Sequence, residues 1–385
     1  MAREGRSVTD DRARIVCVAG ARPNFMKVAP ILEALRSRPR LRGILVHTGQ
    51  HYDRSMSEAF FRDLRLPEPD LHLGVPPEDE SPARFLARVI ERFDDELPRL
   101  RPACVVVVGD VNSTLACALV ALKRAVPLAH VEAGLRSRDW TMPEEGNRVL
   151  TDAASDLLFT TSPDADENLR AEGVAPERIH HVGNVMIDTL RRFEERSRRS
   201  TVLADAGLEE RRFALFTLHR PSNVDRPEDL RRMVAILEGS AARIPSVIPL
   251  HPRTRARLEQ EGMLDRLRSV AGLRIREPEG YLDFLRLLSA ARVVLTDSGG
   301  IQEETTVLGI PCLTLRANTE RPITIAQGTN RLVGSEPGRV LQALDEELAR
   351  PEAELGAPRI PDLWDGQAAE RIAAILEERF GGAAA

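Results

Sequence analysis

Short apolar, β-prone runs alternate along this chain with longer stretches of helical period, and they do so in two successive series. The first series comprises 15–19, 44–48, 104–109, 128–132, 157–161 and 179–182. The second comprises 213–219, 246–250, 273–276, 293–297, 312–315 and 331–333. Continuous apolar runs without strict alternation belong to strands buried on both faces, as in parallel sheets. Helical stretches at 30–36, 83–97, 227–239 and 282–291 separate them. A βαβ pattern performed twice predicts two doubly wound α/β domains. The chain has 385 residues, and domains run to roughly 100–200 residues, so each half is long enough for its own core. A boundary is expected after Asn184, before the Arg-rich stretch 191–199. The closing segment 367–380 has the period of an amphipathic helix.

Composition excludes several classes. Hydrophobic residues make up 42% and charged residues 29%, neither of which suits a disordered or fibrous chain. No run approaches the roughly 20 apolar residues of a membrane-spanning helix. The opening MAREGRSVTDDRAR lacks an apolar core, so no secretory signal is expected. Net charge is −5, with arginines interspersed among acids, which argues against nucleic acid as a partner. The four cysteines, Cys17, Cys104, Cys117 and Cys312, form no CxxC pair and are expected as buried, reduced thiols of a cytoplasmic protein. There is no HExxH, no Cys/His cluster of zinc-like spacing and no GxSxG, so neither a metal nor a serine nucleophile is expected.

In doubly wound sheets ligands bind beyond the carboxyl ends of the strands, so the residues that follow each run matter most. The first run leads into Gly20-Ala21-Arg22-Pro23-Asn24-Phe25-Met26-Lys27, which opens a helix. A helix N-terminus with two cations suits an anion, although an ordinary connection with solvated bases has the same composition. The third run ends in Gly109-Asp110, where the carboxylate is either functional or a helix N-cap. The fourth ends His130-Val131-Glu132, and alternation puts His130 and Glu132 on one side of the strand. An ion pair of Glu132 with Arg136 is the structural alternative. Glu144 and Glu145 then open a helix, where acids favour the dipole whatever else they do.

In the second half, His219 and His251 each follow a run. The stretch Thr296-Asp297-Ser298-Gly299-Gly300-Ile301-Gln302-Glu303-Glu304 carries a strand through small residues into a helix, a geometry that seats a diphosphate on backbone N–H groups. Glu304 is placed to accept from ribose hydroxyls, and Arg321 adds a cation. The inventory is therefore carboxylates from one domain facing phosphate-binding loops from the other, across a cleft.

The fragments GARPNFMKVAP, TGQHYD, VVGDVNST, HVEAGLRS, MPEEGNR, GNVMIDTL, TLHRPSNVD, TDSGGIQEE and TERP, in this order, resemble the non-hydrolysing UDP-N-acetylglucosamine 2-epimerases. The resemblance runs from about Ile15 to Phe380. It implies a GT-B-like pair of Rossmann-like domains, 1–185 with 366–385 and 186–365, with the active site between them. It also implies reversible C2 epimerisation of UDP-N-acetylglucosamine through elimination and re-addition of UDP, without a cofactor, supplying cell-envelope or capsular polysaccharide synthesis. By the same resemblance Asp110, Glu132, Glu144 (or its neighbour Glu145) and His219 are catalytic. Arg22, Lys27, His251, Tyr281, Phe284, Ser298, Gly299, Gly300, Glu304 and Arg321 bind substrate, with Tyr281 and Phe284 near the uracil. A homodimer is implied. The alternatives are a hydrolysing epimerase, an epimerase of a modified UDP-sugar, a GT-B glycosyltransferase and a silent UDP-sugar sensor.

Overall fold

A computed structural model describes residues 11–49, 66–75, 81–351 and 359–382. Residues 50–53 of the TGQHYD segment lie outside these described residues. The first series of runs folds as strands β1 (Ala13–Ala19), β2 (Leu41–His47), β3 (Leu71–His72), β4 (Cys104–Val108), β5 (Leu128–Ala133), β6 (Leu157–Thr160) and β7 (Ile179–His181). They form one sheet in the order β3-β2-β1-β4-β5-β6-β7, every pairing parallel. The second series gives β8 (Ala214–Thr217), β9 (Ser246–Pro249), β10 (Leu273–Arg276), β11 (Val293–Thr296), β12 (Cys312–Thr314) and β13 (Asn330–Leu332). Their order is β10-β9-β8-β11-β12-β13, again parallel throughout.

Both sheets thus carry the doubly wound order, in which the chain reverses direction once. The reversal falls between β1 and β4 in the first sheet and between β8 and β11 in the second. Burial on both faces explains the unbroken apolar runs. Val105, Val106 and Val107 of β4 are all fully buried, yet Val106 belongs to a different apolar cluster from its two neighbours. One of these clusters continues from Cys17 and Val106 of the first sheet to Leu215 and Val294 of the second, through Ile187, Leu190 and Phe193.

Those three residues lie on the helix Val185–Ser197, which begins where the boundary was expected. Asn184 caps it, accepting from the Met186 N–H at 2.9 Å. Only the Arg-rich half of this helix stood out in the sequence; its apolar face starts at Val185. The first helix is likewise longer than expected, running Arg22–Arg36 with Pro30 inside it. A proline cannot donate to the carbonyl four residues back. That carbonyl, on Met26, accepts instead from Thr189 Oγ1 at 2.5 Å, so the break in one helix becomes a tie to the next.

The chain returns to the first sheet at its end. Trp364 is buried and donates from Nε1 to the Thr161 carbonyl at 2.8 Å. The helix Ala368–Phe380 follows, its first N–H groups held by the Asp188 carboxylate at 3.1 and 2.7 Å. Arg38 donates to Glu370 from the far side. Among the described residues no helix is long and apolar enough to cross a membrane. All four cysteines are free and buried.

Candidate active site

The two chain reversals open toward each other. At the first, three consecutive carbonyls at the end of β4 each receive a side-chain donor. Asn24 Nδ2 meets the Val108 carbonyl at 3.0 Å, a His130 ring nitrogen meets Gly109 at 2.9 Å, and Asn147 Nδ2 meets Asp110 at 2.8 Å. Gly109 takes φ +66, a conformation glycine adopts without steric cost, and it lets Lys27 Nζ approach to 3.1 Å from where a Cβ would sit.

Asp110 is therefore not a cap. The helix Asn112–Lys123 starts from Val111 without a side-chain cap, and the Asp110 carboxylate turns to Arg148 Nη2 at 2.7 Å. Burial opposes its ionisation, but Arg148, Lys27 and Arg321 together hold it below the usual carboxylate range.

Glu132 corrects two expectations. The register of β5 slips between Val131 and Ala133, and Glu132 takes φ +69, so regular alternation stops there. His130 is fully buried against Asp152, whereas Glu132 bonds to Lys27 Nζ and stands 3.9 Å from Arg321 Nη2. Arg136 pairs not with Glu132 but with Asp152 and Glu172. A non-glycine residue in the left-handed region costs of order 1–3 kcal/mol, and such strain gathers at working sites.

The two acids that open the helix Pro143–Ala154 part company. Glu145 is buried and committed to the Ser137 and Arg138 N–H groups at 2.9 and 2.7 Å and to Arg148 at 2.6 Å. Among the described residues, half-buried Glu144 has no hydrogen bond or ion pair, which leaves it available to a ligand. The side chain of Arg22 lies outside the described part of the structure.

At the second reversal β8 delivers His219, whose Nδ1 sits 3.0 Å from the buried Asp297 carboxylate. Burial alone would raise Asp297; bonds from His219, the Arg220 N–H and Asn223 bring it below the usual range. The His219 ring is partly exposed and lies 5.6 Å from that of His251. His251 also caps its own helix, accepting from the Arg253 N–H at 3.2 Å.

Ser298 precedes the helix Gly299–Leu308 without capping it, so its hydroxyl is not committed to the first N–H groups, which have no partner within the helix. Gly299 is required by crowding: a Cβ there would lie 2.5 Å from Arg321 Nη1 and 2.6 Å from Glu320 Oε1. Further in, Glu304 is buried against the Tyr281 hydroxyl. Burial and the neighbouring Glu303 push Glu304 up to about 8. Tyr281 packs edge-on against Phe193 at 5.9 Å, and Phe284 joins the same apolar cluster half-buried.

The two halves close on Arg321. Its Nε lies 2.7 Å from Glu303, its Nη1 2.5 Å from Glu320, and its Nη2 faces Glu132. Burial and Glu132 raise Glu303 to about 7, with Arg321 opposing. Glu320 is held very low against its burial by Arg321, Arg316, Arg220 and Arg148. Arg148 reaches Glu320 across the cleft at 4.0 Å, and Asn318 reaches Asp139 at 3.5 Å. Glu303, Glu320, Asp297 and Arg148 all lie inside the motifs quoted above but were not singled out. For Arg148 alone the sequence carries a signal, its spacing three residues after Glu145 on one helix.

The family model described as UDP-N-acetylglucosamine 2-epimerase matches residues 33–377. The chain belongs to the UDP-N-acetylglucosamine 2-epimerase family. It is 39% identical over 370 residues to the UDP-N-acetylglucosamine 2-epimerase of Methanocaldococcus jannaschii, covering 94% of this chain and 98% of that one. It is equally, 39%, identical over 367 residues to the UDP-2,3-diacetamido-2,3-dideoxy-D-glucuronate 2-epimerase of Pseudomonas aeruginosa, covering 94% and 99%. The crystal structure of the M. jannaschii epimerase in complex with UDP-GlcNAc and UDP superposes with a TM-score of 0.86 at 37% identity, covering 95% of this chain and 99% of that one. The fold, two doubly wound parallel sheets as the alternating runs predict, is of the GT-B kind that the resemblance implies.

Proposed function

We propose that this protein reversibly epimerises UDP-N-acetylglucosamine at C2, giving UDP-N-acetylmannosamine. The observation that carries this reading is the junction of Lys27, Glu132, Arg321 and Glu303, where an acid and a cation of the first half meet a cation and an acid of the second. The hydrogen at C2 is not beside a carbonyl, so direct deprotonation is closed to ordinary acid–base groups. Elimination opens a route. The C1–O bond breaks with its electron pair leaving on UDP, the C2 proton passes to a base, and a C1=C2 double bond forms. Re-addition of UDP to C1, with a proton delivered to the opposite face of C2, gives the epimer.

The residues divide accordingly. Ser298, Gly299, Gly300 and Arg321 hold the leaving diphosphate, with Arg22 and Lys27 on the opposite wall, and Glu304 receives the ribose hydroxyls. Asp110, Glu132 and Glu144 supply the base, the acid and the stabilisation of positive charge at C1. His219, steadied by Asp297, and His251 line the nucleotide side, and Tyr281 with Phe284 backs the base-binding segment. We assign residues 1–185 with 366–385 to the acid-bearing domain and 186–365 to the nucleotide-bearing one. We further place the enzyme in the cytoplasm, consistent with its free cysteines, as a homodimer feeding cell-envelope polysaccharide synthesis. Leu122 and Leu150, half-exposed on adjacent helices, offer apolar surface for such pairing.

Turnover of UDP-N-acetylglucosamine in D2O should place deuterium at C2 of both recovered epimers. Stoichiometric release of UDP would mean hydrolysis instead. Turnover confined to the diacetamido-glucuronate would move the substrate to that of the Pseudomonas relative, and C2 retaining its proton during turnover would end the elimination mechanism.

A further inference from the structure

Beneath the acids lies a buried group that the chemistry above does not use. The His130 ring is fully buried between the Asp152 carboxylate, 2.6 Å from Nδ1, and the Gly109 carbonyl, 2.9 Å from Nε2. A carbonyl oxygen only accepts, so Nε2 carries hydrogen, and the ring is bonded on both sides. Asp152 is itself 1% exposed, and its second oxygen takes the Gly134 N–H at 3.0 Å and Arg136 Nη1 at 2.7 Å. Burial opposes ionisation of Asp152, yet His130 and Arg136 keep it below the usual range.

One carboxylate therefore reaches three elements. Through His130 it holds the carbonyl immediately before Asp110. Through Gly134 it holds the chain two residues after the strained Glu132. And it stands on the helix Pro143–Ala154, whose first turn carries Glu144. We propose that Asp152, acting through His130, is a positioning residue that sets Asp110 and Glu132 in register for proton transfer at C2. It touches no substrate. A rigid anchor is needed here because Glu132 holds left-handed backbone at a cost, while Gly109, left-handed at no steric cost, would otherwise move freely between conformations.

This inference rests on the assignment of Asp110 and Glu132 to the chemistry. Its test uses pairs of variants that separate positioning from mere folding, with kcat expressed per titrated UDP-binding site. Gln in place of His retains a donor near Nε2, and Asn retains one near Nδ1. His130→Asn should therefore lose the Gly109 bond and lower kcat about a hundredfold, the cost of a misplacement near 1 Å, with KM and UDP affinity nearly unchanged. His130→Gln, which keeps that bond but loses the one to Asp152, should recover only part of the rate. Asp152→Ala should match His130→Asn, and Asp152→Asn, still able to bond the ring and Gly134, should recover part. Equal kcat in His130→Asn and His130→Gln, or wild-type kcat in Asp152→Ala with only a lowered melting temperature, would reduce the pair to a structural brace and overturn the proposal. Asp110→Asn is the control. If it too retained full activity, the assignment of the acids would be the part at fault.

Discussion

The two halves of the molecule share one strand order and almost nothing else at their reversal points. In the first sheet the exits of β4 and β5 present the carboxylates of Asp110 and Glu132 through left-handed backbone, which Gly109 adopts freely at φ +66 and Glu132 under strain at φ +69. In the second, β11 runs into small residues in ordinary conformations, with Ser298 at φ −82, and offers the unpaired N–H groups of a helix. Topology fixed where a ligand has to bind in both halves; the few residues after each strand decided what each half contributes. Under the proposed function the acids transfer protons and need fixed positions, and Asn24, His130 and Asn147 hold the carbonyls at the end of β4. A helix end proposed to take a diphosphate needs only its own peptide groups and room, which Gly299 provides.

The sharpest way to break this division is to remove the acids. Asp110→Asn or Glu132→Gln should lower kcat by roughly 10³-fold, within the range for loss of general acid–base catalysis, while UDP affinity measured by calorimetry stays near wild type. Loss of UDP binding in both variants would mean that the halves do not divide the work. The converse pair should show the opposite profile. Arg321→Ala removes a charge-assisted contact worth about 1–3 kcal/mol, and Gly299→Ala pushes against Arg321 itself. Both should weaken UDP. A fall in kcat with unchanged UDP affinity would move Arg321 to the acid side of the cleft.

A pH measurement sharpens the contrast from another direction. Burial raises Glu304 from the ordinary 4.5 to about 8, so between these values the unfolded chain loses a proton that the folded protein keeps. Its contribution to stability is whole below pH 4.5 and drains away as pH rises through 8. Asp110 is shifted the opposite way, so its contribution is present above the ordinary aspartate value and fades as pH falls through its lowered one. Glu304→Gln should therefore gain melting temperature over wild type at pH 8.5 and lose that gain at pH 4. A gain independent of pH would show that packing, not ionisation, governs the site.

These contrasts were unevenly legible in the sequence. Strands buried on both faces leave unbroken apolar runs, so β1 and β4 stood out, whereas β3, two residues at the sheet edge with Leu71 half-buried and His72 exposed, left none. The helix from Arg22 was obscured by Pro30, because its compensation, Thr189 on the Met26 carbonyl, lies far away in the chain. Asp110, Glu132, Ser298 and Arg321 were legible because they sit just past strand ends or in distinctive strings. Asp152 was not. It lies in the last turn of its helix, and its meaning depends on His130 and Gly134, which only folding brings to it. The bulge at Glu132 was equally hidden, since one extra residue in a strand changes no composition.

The smallest expected effect tests whether function is confined to the carboxyl edges. The opposite edge of the second sheet holds a cavity of about 650 Å³ lined by Arg211, Arg212, Arg243, Arg274, Arg292 and Arg350. There the arginines serve the chain. Arg292 donates to the Glu347 and Arg350 carbonyls at 2.7 and 2.6 Å, and Arg274 to the Ala206 and Gly207 carbonyls at 2.6 and 3.0 Å, all near helix C-termini. Carbonyls left over at a helix end carry partial negative charge, and a cation there is stabilising. Arg321 differs because its partners are carboxylates from both halves of the molecule. Arg274→Ala should accordingly cost about 1 kcal/mol of stability in denaturant melts and leave kcat, KM and UDP affinity unchanged. A change in UDP affinity would show that the two edges of this sheet communicate, and that the division drawn between scaffold and site is too clean.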